Sequence, residues 1–128
     1  VNQKFTERDL RSRVRGWWGK AVFWVEAGRG GTVGMPDAVV VRPAGTMFVE
    51  LKAGHVNDGR WRVDLRPSQM QVCRRLVKQG ADVRIFVIDK RDGGVWWTDF
   101  ETVIAAGGNK KIVPVFEAKH SEMTKSDR

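Results

Sequence analysis

Phe48-Val49-Glu50-Leu51-Lys52 alternates apolar and charged residues with the period of an extended strand. In a strand, successive side chains point to opposite faces. Val49 and Leu51 therefore turn into a core, while Glu50 and Lys52 project together from the other face. An acid and a base stand side by side on a rigid element. Working outward, Ala38 to Val41 reads as a buried strand, Arg42-Pro43-Ala44-Gly45 as a turn, and Met47 to Lys52 as the next strand, so the two form a hairpin. Asp37 sits just before the first of them, and the hairpin brings it close to Glu50.

The flanking elements follow from periodicity. Leu10, Val14, Trp17 and Trp18 are spaced i, i+4, i+7, i+8 and predict a helix from Thr6 to about Trp18, with Thr6 as N-cap and Glu7 and Asp9 in the first turn. Glu7 lies three residues before Leu10 and shares its face, and an acid at the edge of a core face needs a reason. Ala21 to Val25 reads as a strand. Gly28-Arg29-Gly30-Gly31-Thr32-Val33-Gly34 is a glycine-rich loop but no P-loop, since no Gly-Lys-Ser/Thr follows at the right spacing. Ala53 to Arg66 reads as irregular. A helix from Pro67 to near Gln79 has proline at its first turn and Gly80 as its stop, with Gln69 on the same face as Val72 and Cys73. Val83 to Ile88 is a near-continuous apolar strand of a sheet interior. Asp92-Gly93-Gly94 is a turn, and Thr98 with Glu101 suggests a capping box for a short last helix to about Ala106. The order predicts an α/β domain with helices against a central mixed sheet.

Two clustered carboxylates repel each other and resist ionisation unless a cation joins them. Hard oxygen ligands point to Mg2+ or Mn2+ rather than zinc. The single cysteine, Cys73, and the two distant histidines, His55 and His120, form no metal pattern, and no disulfide is possible within one chain. A cation between Asp37 and Glu50 polarises a phosphate oxygen and acidifies a bound water. Lys52 can then orient that water or help deprotonate it, and can offset charge in the transition state. Gln69 can bond the water or the phosphate, and Glu7 can supply a further ligand.

The 128 residues are enough for one domain and one core. With 23 Lys and Arg against 15 Asp and Glu, the net charge is +8, which asks for an anionic partner, nucleic acid first and a membrane surface second. No segment approaches the roughly 20 apolar residues of a membrane span. Val1-Asn2-Gln3-Lys4-Phe5-Thr6-Glu7 is no secretory signal, so a cytoplasmic location is expected. Residues 119–128 read as a polar tail after a single domain over 1–118.

Gly34-Met35-Pro36-Asp37, Glu50-Leu51-Lys52 and Leu65-Arg66-Pro67-Ser68-Gln69, taken in order, resemble the PD-(D/E)XK nuclease superfamily. Within it the chain is most similar to the VRR-Nuc group and its small stand-alone members from phages and bacteria, and to archaeal Holliday junction resolvases in layout. The resemblance runs from about Glu7 to Ile88. It implies a restriction-endonuclease-like fold, a central mixed β-sheet flanked by α-helices, and a Mg2+- or Mn2+-dependent DNA endonuclease acting on a Holliday junction, on branched DNA, or as a nicking enzyme. Asp37 and Glu50 match the metal-binding acids, Lys52 the catalytic lysine and Gln69 the glutamine of the following helix. Glu7 matches the acid of the first helix, with Asp9 its rival on spacing and the helical face favouring Glu7. The Leu51 carbonyl commonly completes such a metal site.

Arg29, Thr32, Arg60, Trp61, Arg62 and Arg66 are the candidate DNA contacts. Trp61, between two arginines, suits stacking on a base or packing on the core equally well. Trp17, Trp18, Trp96 and Trp97 suit the core or a subunit interface. A homodimer is expected, since cutting two strands is easiest with two copies related by a two-fold axis, and Val95 to Trp97 or the last helix is the expected interface. The alternatives are a non-catalytic nucleic-acid-binding module on the same fold and a phage protein-interaction factor.

Overall fold

The structure, a computed structural model, describes residues 4–25 and 33–119. Within them three helices and nine strands follow in the order α1 (Glu7–Trp18), β1 (Val22–Trp24), β2 (Ala38–Arg42), β3 (Gly45–Gly54), β4 (Val56–Asn57), β5 (Arg60–Arg62), α2 (Pro67–Lys78), β6 (Asp82–Asp89), β7 (Val95–Asp99), α3 (Phe100–Ala105), β8 (Ile112–Pro114) and β9 (Phe116–Glu117). The six-stranded sheet has the order β1-β2-β3-β6-β7-β9. β3 and β6 pair parallel and every other neighbour is antiparallel, so the sheet is mixed. A parallel pair needs a long crossover, and α2 lies within it.

Alternation along β3 divides the core into two layers. Met47, Val49 and Leu51 pack with Leu10, Val14 and Trp18 of α1 and with Phe86. The rings of Trp17 and Trp18 lie 6.1 and 5.8 Å from that of Phe86, so these tryptophans serve the core. On the opposite face, Phe48 meets a second cluster that includes Met70 and Cys73 of α2, Ile85, Phe100 and Trp61.

Four expectations need correction. Residues 53–66 are not irregular: β3 continues to Gly54, and β4 and β5 form a hairpin that β8 completes into a three-stranded sheet. Asp58 and Gly59 take positive φ values of 53° and 68° in the connecting turn, the backbone that a tight hairpin requires. Trp61 is 3% exposed within the second core cluster, so its ring is spent on packing and cannot stack on a base. The last helix is capped by Asp99, whose carboxylate accepts from the Thr102 N–H at 2.7 Å, rather than by Thr98, which is buried in β7. Finally, Val95 to Trp97 is no free apolar edge. β7 lies between β6 and β9, with Val95 4% exposed and both tryptophans half-buried, because the turn at Asp92 to Gly94 folds it back onto β6.

The small sheet is tied to the large one at Asp89. Its carboxylate, 2% exposed, accepts from the Val56 N–H at 3.1 Å and from the Arg91 side chain and N–H. Burial pushes this acid up, but the hydrogen bonds from Arg91 and Val56 outweigh it and hold it at about 2. No helix among the described residues is long and apolar enough to cross a membrane.

Candidate active site

β2 and β3 pair with Ala38 opposite Val49, which places Asp37, one residue earlier, at the level of Glu50. The ladder between β2 and β3 stops at the Ala38–Val49 pair, and the next N–H on β3 lacks a partner from β2. The Asp37 carboxylate supplies one: its Oδ2 accepts from the Leu51 N–H at 2.8 Å. Its backbone carbonyl accepts from the Val25 N–H at 2.8 Å, so the residue is held from both sides. The carboxylate is thereby fixed beside Glu50, as the hairpin reading requires.

Glu50 is 1% exposed. Its Oε2 accepts from the Gln69 side-chain amide at 2.7 Å and lies 3.8 Å from the Lys52 ammonium. Its Oε1 is buried with no hydrogen-bond partner. Burial lifts this carboxyl from 4.5 to about 8, and the negative charge of Asp37 adds to the lift, as does that of Glu7 more weakly. Lys52 pulls the other way and loses. The desolvated acid also acts outward: burial first, then the Glu50 charge, pushes the Cys73 thiol up to about 12.

Gln69 is the hub. Its Oε1 accepts from the Lys52 ammonium at 3.1 Å and from the Arg66 N–H at 2.9 Å, while its amide nitrogen donates to Glu50. One side chain caps the start of α2 and orders the acid and the base of β3. The glycine before Met35-Pro36-Asp37 explains the closeness of the two segments. Gly34 has φ of 92°, and a Cβ there would stand 2.3 Å from the Ser68 carbonyl oxygen, so only glycine lets this loop lie on the first turn of α2.

The two first-helix acids divide. Asp9 accepts from the Thr6 N–H at 2.8 Å and from its hydroxyl at 3.2 Å, which makes it a capping residue. Glu7 is exposed, and its charge reaches Glu50. Among the described residues no three acid, histidine or cysteine side chains are grouped so that they could hold a metal ion. The donor chemistry nevertheless fits a divalent cation. Two carboxyl groups meet with too little positive charge to keep both ionised, a hydrogen bond with Asp37 helps keep Glu50 protonated, and the buried Oε1 accepts from no donor. A hard cation answers both deficits. Asp37 and Glu50 are the two carboxylates that would face it.

Of the expected DNA contacts, Arg60, Arg62 and Arg66 are exposed, the first two on β5. Arg29 and Thr32 lie outside the described residues, as do positions 120–128 of the expected tail. Sequence reasoning missed Lys90 and Lys110, which line a groove with Arg60 and Arg62. They come from distant segments: the pairing of β5 with β8 brings Lys110 to the groove, while the pairing of β3 with β6, extended by the Lys90 N–H to the Gly54 carbonyl, brings Lys90.

No protein-family model matches the chain, and no curated protein matches it in sequence. Among solved structures it is similar to the Holliday junction resolvase Hjc of the archaeal hyperthermophile Archaeoglobus fulgidus, with a TM-score of 0.54 at 14% identity over 92% of this chain and 90% of that one. At that identity the likeness concerns the fold: the mixed sheet with flanking helices is the restriction-endonuclease-like fold.

Proposed function

We propose that the chain is a divalent-metal-dependent DNA endonuclease of the PD-(D/E)XK type, a stand-alone relative of the VRR-Nuc group, cutting branched or junction DNA. The observation that carries this reading is the buried Glu50 carboxylate, with one unpartnered oxygen, beside Asp37 and within 3.8 Å of Lys52. A buried acid without a full set of partners costs about 1–3 kcal/mol, which a purely structural role does not repay. The restriction-endonuclease-like fold and the +8 charge point to the same substrate class. The domain would span residues 1–118, act as a homodimer to reach two strands, and work in the cytoplasm.

Each residue then has a role. Asp37 and Glu50, with the Leu51 carbonyl and Glu7, would hold Mg2+ or Mn2+, which supplies a Lewis acid for the scissile phosphate and acidifies an attacking water. The Lys52 ammonium, aimed by Gln69, orients the water and offsets the charge that develops on the phosphoryl oxygens. Gln69 also keeps Glu50 turned toward the same point. Arg60, Arg62 and Arg66 bind the backbone on the side of the sheet that carries β5 and α2.

The test is cleavage of supercoiled plasmid and of a synthetic four-way junction, with magnesium, with manganese and with chelator. Cutting that needs metal and disappears in Glu50→Ala and Lys52→Ala supports the reading. Symmetric junction cutting narrows it to a resolvase, and plasmid nicking to a broader nuclease. A parent chain that binds DNA and never cuts with either metal replaces the enzyme by a binding module.

A further inference from the structure

The three-stranded sheet carries a surface that catalysis does not use. An open groove of about 670 Å3 begins at Ala53, the residue after Lys52. Arg60, Arg62, Lys90 and Lys110 line it with His55, and Asp64 is the one acid among its lining residues. Strand alternation builds the groove: Arg60 and Arg62 face outward from β5 while Trp61 between them is buried. A Cβ at Gly54 would stand 2.9 Å from the Trp61 indole nitrogen, so glycine lets the ring slide beneath the groove. Trp61 forms part of its floor but is only 3% exposed, too little ring to stack a base, so what the groove presents is mainly cations. It is suited to backbone phosphates rather than to bases.

Asp64 marks where the field of these cations converges. Its carboxylate accepts from the Lys110 ammonium at 2.7 Å, and both side chains are well exposed, at 75% and 64%. That hydrogen bond holds the Asp64 carboxyl below its ordinary range, and the charges of Lys110, Lys52 and Lys90 work in the same direction against the opposing effect of burial. Lysines from β3, from the β6–β7 turn and from the segment before β8 therefore act on one point. An exposed ion pair holds weakly, so the carboxylate can give way to another anion.

We propose that this groove is an anion site holding one strand of a DNA backbone beyond the scissile phosphate, and that Asp64 is its resident counter-ion, displaced from Lys110 when a phosphate arrives. The proposal rests on the nuclease reading for the identity of the polyanion. It extends that reading from the catalytic residues to Lys90, Lys110 and Asp64, and makes Asp64 an internal competitor of the substrate. Removing a competitor strengthens binding. Removing lysines weakens it and flattens its dependence on salt, because a phosphate that meets no lysine keeps its counterions.

The experiment is fluorescence anisotropy of a labelled DNA duplex with the full chain, in chelator, over a salt series. Asp64→Asn is expected to bind about 3–10-fold tighter at low salt, and Lys90→Gln with Lys110→Gln about tenfold weaker with a salt slope shallower by about two. Glu101→Gln and Lys78→Gln, exposed changes of the same charge elsewhere, are expected to move binding by less than about twofold, screened by distance. Equal tightening by Glu101→Gln and Asp64→Asn overturns the proposal. So does a lysine variant that binds like the parent, or a parent that binds no DNA. If the parent cuts DNA while the lysine variants bind unchanged, the groove fails and the nuclease stands. If groove-dependent binding is seen without cutting under any metal, the nuclease fails and the groove stands.

Discussion

The two faces of β3 are made by alternate residues of one strand and obey opposite rules. Toward α1, Met47, Val49 and Leu51 are at most 3% exposed and meet only apolar neighbours in the core. Toward α2, Phe48 begins an equally ordinary cluster, but Glu50 is just as deeply buried as Val49 and carries a carboxylate with an unpartnered oxygen. Burying an apolar side chain stabilises the fold, whereas burying an acid beside another acid works against it. The first face is accounted for by folding alone. The second holds a group that folding would discard, and such groups collect at sites of chemistry.

The sharpest way to break this contrast is to measure stability and cutting separately on each face. Glu50→Ala and Lys52→Ala are expected to reduce metal-dependent cleavage by about 10²–10³-fold or more, the scale of losing one preorganised group that stabilises charge in a transition state. On the α1 face, Phe86→Ala, at 0% exposure and in contact with both Trp17 and Trp18, is expected to destabilise by about 3–5 kcal/mol in urea unfolding. If Glu50→Ala destabilises as much as Phe86→Ala and cutting tracks the folded fraction alone, the two faces are not different in kind.

A smaller effect separates them by pH. The Glu50 carboxyl titrates near 8 in the fold against 4.5 as an ordinary acid, so the folded state holds a proton that the unfolded chain releases between those values. Its contribution to stability is full below about 4.5 and is lost as pH rises through about 8, and stability falls across that window. Glu50→Gln, which keeps the shape and never ionises, is expected to flatten the urea midpoint over this range. Added magnesium is expected to restore stability at high pH in the parent and not in the variant, since a cation takes the place of the proton. A parent whose midpoint rises from pH 5 to 8 without metal would mean that burial does not keep the Glu50 carboxyl protonated.

The sequence was a good guide wherever one face of one element decided the matter. The 3.6 period of α1 and the alternation of β3 placed Leu10, Val14, Val49 and Leu51 correctly, and Asp37, Glu50, Lys52 and Gln69 do come together. It failed where structure depends on pairing between distant segments. Arg60-Trp61-Arg62 is a three-residue strand, too short to show a period, and β8 begins only at Ile112. Two local signals point to this hairpin: the Asp58-Gly59 turn and the polar-apolar-polar order of β5. Trp61 was ambiguous for the same reason, because the choice between core and DNA rests on which side of an unforeseen sheet it occupies. Asp99 displaced Thr98 as the cap because β7 runs through Asp99 and the helix begins only at Phe100, so the last residue of the strand is the one placed to cap it.

Gln69 is where the two rules meet, and its substitution should give the smallest and most divided effect. It is 3% exposed and sits in the apolar half of α2, yet all its bonds are to groups outside that core: the Arg66 N–H, the Lys52 ammonium and the Glu50 carboxylate. Replacing it by Leu removes the helix-start bond, worth about 1 kcal/mol in such positions. The same change frees Glu50 from one repulsion-relieving donor and Lys52 from its aim, but it leaves both charges and the cation ligands in place. A loss of about 1 kcal/mol in urea unfolding is therefore expected, with a fall in cleavage of about tenfold, well short of the loss in Lys52→Ala. Gln69→Glu divides the roles further. It keeps an oxygen for the Arg66 N–H and for Lys52 but puts a third carboxylate against Glu50, so its stability should recover at pH 5 and fail at pH 8, where repulsion is unrelieved. Equal behaviour of the two variants across pH would mean that Gln69 serves the helix alone and does not position the acid and base of β3.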